Sequence, residues 1–270
     1  MILNITNRKV PRFGARYILE ARLRGMMKFI WVIAAIAILN PLLFLISVGL
    51  GIGTLVSNNM GPNGIDGVSY LVFIAPALLA TSAIQGAMDE VIFPTMDGFK
   101  WGRIFYGMNS TPQSGRNIAG GVFLAALVRT ILSVVVYAII LYFFGAMDSP
   151  HAYLAIPISI FAGASFGAVM LACASYVHNE DMFFILVGRF ILGPMFLFSG
   201  TFYPLDTLPI PMQAFGWISP LWHAIELGRY ATYGHSISGA MIAIHILFML
   251  VMLVVGLKIA FKQFQNRLTK

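Results

Sequence analysis

Gly163-Ala164-Ser165-Phe166-Gly167 spells G-x-S-x-G, the pattern that presents a nucleophilic serine in many hydrolases. His245, in a separate apolar run, has the chemistry to act as its base. Such a pair would make the chain an intramembrane serine protease. The same five residues are also G-x-x-x-G, which lets two membrane helices approach closely. The nucleophile pattern needs a sharp strand-to-helix turn, and here the setting reads as the middle of a helix with no polar groups nearby to hold an oxyanion. Helix packing is therefore the first reading of Gly163 and Gly167.

Two cations are next. Arg129 and Arg189 fall within apolar runs, and an arginine at the centre of a bilayer costs about 2.5–3.5 kcal/mol on insertion scales. Such a group faces protein or water. It either lines a polar translocation path or satisfies carbonyls and a carboxylate structurally. Glu226 and Arg229 stand three apart, as do His223 and Glu226, so one helix face can carry all three. They form an outer gate or a local salt bridge. No G-x-x-x-x-G-K-[ST] occurs, so any ATP that drives this chain binds elsewhere. No acidic pair lies within the apolar runs, which argues against a proton-coupled carrier. The single cysteine, Cys173, excludes an internal disulfide and reads as packing.

The elements that position these residues follow from composition. Of 270 residues, 59% are hydrophobic and only 10% charged, too few charges to cover a globule in water. The net charge of +7 does not indicate nucleic acid, because the basic residues gather at the two ends and in one middle loop. Six apolar stretches, 29–50, 69–88, 117–144, 153–175, 183–199 and 238–260, approach or exceed the roughly 17–25 residues of a spanning helix. The fold class is all-α integral membrane, six spans in a single domain covering 1–270. Residues 1–28 are too basic and their apolar continuation too long for a cleavable signal peptide.

Lys and Arg set the orientation. Seven lie in residues 1–28; Lys100, Arg103 and Arg116 follow span two; Lys258, Lys262, Arg267 and Lys270 close the chain. The loops after spans one and three hold none, so both termini are expected in the cytoplasm. The sequons at Asn4 and Asn109 then face the cytoplasm and are discounted. Arg12, Arg16, Glu20 and Arg24 recur every four residues, the polar stripe of an interfacial helix feeding span one, or a plain orientation signal. Residues 200–237 are apolar, aromatic and broken by Pro204, Pro209, Pro211 and Pro220. They read as two short re-entrant helices or as an interfacial loop with an aromatic belt, Trp217, Trp222, Tyr230 and Tyr233.

Two stretches then stand out together: WGRIFYGMNSTPQSGRNIAGGVFLAALVR at 101–129 and FSGTFYPLDTLPIPMQAFGWISPLWHAIELGRY at 198–230. They resemble the type-2 ABC exporter permeases, most closely the branch containing the nodulation lipo-oligosaccharide exporters. Gly107 to Pro112 stand at that branch's "AM-x-A-T-P" element, departing from it at Asn109-Ser110. Ser199, Gly200, Phe202, Tyr203, Pro204, Leu208, Pro209, Pro220, Leu221 and His223 carry "F-S-G-x-F-[FY]-P-x-x-x-L-P" and "P-L-x-H". The resemblance implies a transporter subunit, not an enzyme. It implies two permease subunits, expected as a homodimer, and separate ABC ATPase subunits that hold ATP and Mg, with no cofactor in this chain. It places a cytoplasmic coupling helix in Asp89–Gly107, with Asp89, Glu90, Phe99, Trp101 and Arg103 as ATPase contacts. It implies re-entrant helices before span six, in a multi-pass protein of the cell membrane; within them Tyr203, Pro204, Trp222, His223, Glu226 and Arg229 are the residues expected at an outer gate. Thr111-Pro112 reads as the N-cap and first residue of the helix leading to span three. The substrate expected is a lipid-linked glycan or another amphiphile, drawn from the inner leaflet past the Arg12, Arg16 and Arg24 stripe. A drug or peptide exporter of the same family, an intramembrane protease, and a small channel or secondary carrier are the alternatives.

Overall fold

The computed structural model describes residues 13–53, 64–147, 149–177 and 182–269. Arg12 and Asn4 lie outside them. Among the described residues the fold is helical with no β-strand, only an isolated bridge between Ile65 and Val68. The helices are α1 Gly14–Met27, α2 Ile30–Ile46, α3 Tyr70–Met96, α4 Ile104–Asn109, α5 Gly115–Phe143 and α6 Ala155–Tyr176. They continue with α7 Phe183–Leu186, α8 Gly193–Phe198, α9 Ile210–Trp217, α10 Pro220–Tyr233 and α11 Gly239–Leu268.

Among the described residues four segments are long and apolar enough to cross a membrane: Tyr70–Trp101, Gly115–Phe143, Pro150–Tyr176 and Gly239–Leu268. A fifth arises if α1 and α2, bent by 76°, are taken as one. The Val187–Phe198 stretch is apolar but shorter. The multi-pass membrane fold therefore stands, while length and apolarity alone give four or five crossings rather than six. The two segments that fall short are the ones that bend or break. α2 carries Pro41 and runs into a π turn at Ser47–Ile52, and a π turn at Val187–Leu192 divides α7 from α8.

Serines set where the long helices begin. Ser69, Ser114 and Ser238 accept hydrogen bonds from the amides of Val72, Asn117 and Met241 at 3.4, 3.2 and 3.3 Å. The expectation for Thr111 is corrected here. Its hydroxyl donates to the Met108 carbonyl at 2.6 Å and so closes α4, while Ser114 caps α5.

α3 is the central helix, packed on α5, α6 and α10, and α11 lies on the far side of α6. The G-x-x-x-G pair has a defined partner within the subunit. A Cβ on Gly163 would stand 2.7 Å from the Ala83 carbonyl oxygen, and one on Gly167 3.0 Å from the Ala87 Cβ. The pair thus seats α6 on α3. α1 lies across α5 with Gly14 and Ile18 inward, while Arg16, Glu20 and Arg24 are exposed. Arg24 donates to Glu20 at 2.6 Å, so this surface stripe is partly self-paired. The polar stripe, the bend and the exposed Phe13, Tyr17 and Met27 fit a helix lying at an interface.

Between α8 and α11 the chain makes the two short helices α9 and α10. α10 is mostly buried, from Pro220 through Thr232, against α3 and α6. That burial excludes a plain surface loop.

Candidate functional site

Three places concentrate the polar side chains. The first is a cavity of about 200 Å³ among α2, α3 and α5, with Phe196 of α8 at one edge. Its walls mix apolar groups with Asn40, Gln85, Asp89, Arg129, Ser133 and Tyr137. Gln85 donates to Asp89 Oδ1 at 2.9 Å, and Arg129 Nη2 faces Asp89 Oδ2 at 3.5 Å. The pair is lopsided, since Arg129 is buried and Asp89 is not. Nη1 of Arg129 has no hydrogen-bond partner among the described residues. A buried guanidinium with an idle donor on a cavity wall is suited to hold a passing acceptor. Asp89 and Arg129, expected in different roles, thus meet. Arg189 does not join them: it is exposed, on the π turn before α8.

The second place is the connection from α3 to α5. After the π turn Asp97–Trp101 the chain turns through Arg103, whose φ of +52° is left-handed, into α4. The Asp97 carboxylate holds the turn by accepting from the Gly102 amide at 3.1 Å. Trp101, Arg103, Ile104 and Tyr106 are exposed. Of the expected ATPase contacts, Glu90 and Phe99 are interior. Glu90 accepts from Arg22 Nε of α1 at 3.0 Å, and from the same guanidinium's Nη2. Phe99 packs on Phe105 and Phe264 at centroid distances of 5.0 and 4.8 Å, with Arg267 4.1 Å above its ring. Arg267 also donates to the Ser175 and Val177 carbonyls, both at 2.9 Å, closing the C-terminal end of α6. Asn109 donates to the Leu268 carbonyl at 2.9 Å. The connection is therefore clamped to the end of α11. Arg267 carries one of these ties and Arg22 holds α1 to α3, and in the sequence both count only as orientation charges.

The third place surrounds α10. Arg229 is 1% exposed. It donates to the Gly200 carbonyl at 2.6 Å and to Glu226 at 3.3 Å, and its guanidinium lies 3.9 Å from the centre of the Phe73 ring. Gly200 itself needs a positive φ, +75°, to turn the chain there. Tyr203 donates to the Leu197 carbonyl at 2.8 Å, and Pro204 leads into a 3-10 turn. His223 Nε2 sits 3.0 Å from the Trp217 carbonyl, which can only accept, so Nε2 carries the proton in the neutral ring. His223 Nδ1 then accepts from His245 Nδ1 at 2.7 Å. Ser165 spends its proton on the Phe161 carbonyl at 2.7 Å. Serine and histidine are each committed elsewhere, and nothing supports the protease alternative.

His235 bridges two elements. Its Nε2 is 3.4 Å from Glu226 and its Nδ1 3.2 Å from Asp66, while Tyr233 donates to Asp66 at 3.3 Å. Only the imidazolium can donate to both carboxylates. The hydrogen bond to Glu226 raises its pKa above the usual histidine value; Glu226 and Asp66 charges add to this, and burial and Arg229 oppose it. The sign is fixed by linkage: this stabilisation is complete below the unfolded value and is lost as pH rises through the raised folded value. Thermal melting should therefore fall by about 2–4 °C, roughly 1 kcal/mol, between pH 6 and pH 9. His235→Gln should flatten that slope; an unchanged slope in the variant would remove His235 from the account.

A bundle of long apolar helices with a polar cavity between them, and two short helices before the last long one, is a multi-pass membrane protein. The chain belongs to the ABC-2 type transporter family, which matches residues 19–233. It is 26% identical over 208 residues to Nodulation protein J of Rhizobium leguminosarum bv. viciae, covering 77% of this chain and 78% of that one. Nodulation protein J of Sinorhizobium fredii (strain NBRC 101917 / NGR234) is 27% identical over 221 residues, covering 80% and 81%. The chain is accordingly a membrane subunit of a transporter.

Proposed function

We propose that this chain is the permease subunit of an ATP-driven exporter that moves a lipid-linked glycan or a similar amphiphile outward. A separate ABC ATPase holds ATP and Mg, and two copies of the permease enclose the path. α2 and its π turn, the four long helices, and the broken 183–198 helix supply six crossings in the cell membrane, with both termini cytoplasmic. The observation that carries the reading is the cavity wall where buried Arg129 offers an unpartnered Nη1 beside Asp89. The family match and the absence of a P-loop in this chain support the ATPase partner. The exposed Trp101 and Arg103 are its contact points. α2 presents Trp31, Val32, Leu39 and Leu43 outward, an apolar face for lipid or the second copy.

Transport by Arg129 variants tests the path. Lysine keeps the charge and leucine keeps only bulk. Arg129→Lys should retain more transport than Arg129→Leu, by about tenfold, the worth of one charge-assisted hydrogen bond of roughly 1.5 kcal/mol. Equal activity in the two variants would make Arg129 structural and remove the cavity from the path.

A further inference from the structure

We propose that the pocket between α9, α10 and the 64–69 segment is a binding site for an uncharged sugar unit. Its volume is about 390 Å³, within the roughly 300–1,000 Å³ of small-molecule sites. Asp66, Asp206, Glu226, Arg229, Trp217 and Trp222 lie on its walls. Two buried donors there have no hydrogen-bond partner among the described residues, Nε of Arg229 and Nε1 of Trp222. Arg229 is 1% exposed, so this idle N–H is deep in the fold and costly to leave unmet.

The charges select the ligand. Glu226 is already matched by Arg229 and His235, and Asp66 by His235 and Tyr233. An anion would meet three carboxylates, Asp66, Asp206 and Glu226. A cation would compete with Arg229 and His235 for the same oxygens. A neutral polyhydroxylated molecule displaces neither. Its hydroxyl oxygens accept from Trp222 Nε1 and Arg229 Nε, and its hydroxyl protons go to Asp206 and the free lone pairs of Glu226. Trp217, 46% exposed, offers a flat apolar face to the C–H side of a sugar ring. The exporter reading gives the site its purpose, holding a glycan headgroup on the outer side, but binding itself needs neither ATP nor a partner.

The test uses the full chain in nanodiscs, without ATPase or nucleotide, titrated calorimetrically. The neutral probes are cellotetraose, maltotetraose and an N-acetylglucosamine tetramer. Tetragalacturonate and spermidine are the charged controls. At least one neutral probe should bind saturably and tighter than both controls. Trp222→Phe, which keeps a ring but removes the N–H, and Asp206→Asn should each weaken it about tenfold or more, with unchanged melting temperature. Three results would overturn the proposal: no saturable binding of any neutral probe up to about 50 mM, tighter binding of a charged control, or unchanged affinity in both variants. Failure here leaves the exporter reading standing, because that reading is decided by ATPase-dependent transport.

Discussion

Arg229→Ala should cost more stability than any other single substitution around α10, about 3–5 kcal/mol. The guanidinium ties α10 to the Gly200 turn, neutralises Glu226 and covers Phe73 of α3. Alanine would leave Glu226 buried beside His235 alone and the Gly200 carbonyl without its donor. Arg229→Lys should recover only part of the loss, since an ammonium has no fork to reach Gly200 and Glu226 together. Glu226→Gln should cost less than Arg229→Ala, because Gly200 and Phe73 remain in contact with the cation. Melting of the purified protein in detergent gives the order. Arg229→Ala melting within about 2 °C of the wild type would show that the packing around α10 does not depend on this residue.

Replacing Trp101 and Arg103 should produce the largest loss of transport without loss of folding. Exposed Trp and Arg are the side chains most often carrying an interface, each worth about 2 kcal/mol or more on truncation. Together they should cut transport at limiting ATPase by well over tenfold. Arg103 sits at φ +52°, where any residue with a Cβ is strained, so Arg103→Ala leaves that strain unchanged and Arg103→Gly relieves it. Trp101→Ala with Arg103→Gly should insert and melt normally yet pull down less ATPase. Normal ATPase recovery and normal transport in that double variant would remove the α3–α5 connection as the docking point.

Much of this architecture is legible in the sequence because lipid leaves few options. Long apolar runs such as 117–144 must be helical, and prolines at 204, 209, 211 and 220 must break the next one. Gly163 and Gly167 announce a close helix contact, and only the fold identifies α3 as the partner. What pattern cannot supply is pairing at a distance. Arg22 reads as one of seven orienting cations until α1 folds across the bundle and delivers it to Glu90, 68 residues away. Arg267 reads likewise until the end of α11 meets the end of α6. Asp89 and Arg129 are 40 apart, on helices whose rotation sets which faces meet. Thr111 and Ser114 are both acceptable caps by type, and the local turn of α4 decides between them. The 183–198 segment is simply short, and the π turn inside it is a feature that no periodicity announces.

The central claim is that this chain moves its cargo only when a separate ATPase hydrolyses ATP. The direct measurement is transport of a fluorescent glycolipid in proteoliposomes containing the chain alone, the cognate ATPase alone, or both. Only the combined vesicles should show ATP-dependent movement across the bilayer, and a Walker-lysine variant of the ATPase should abolish it. ATP-dependent transport by the chain alone, or ATP hydrolysis by the chain alone, would contradict the account.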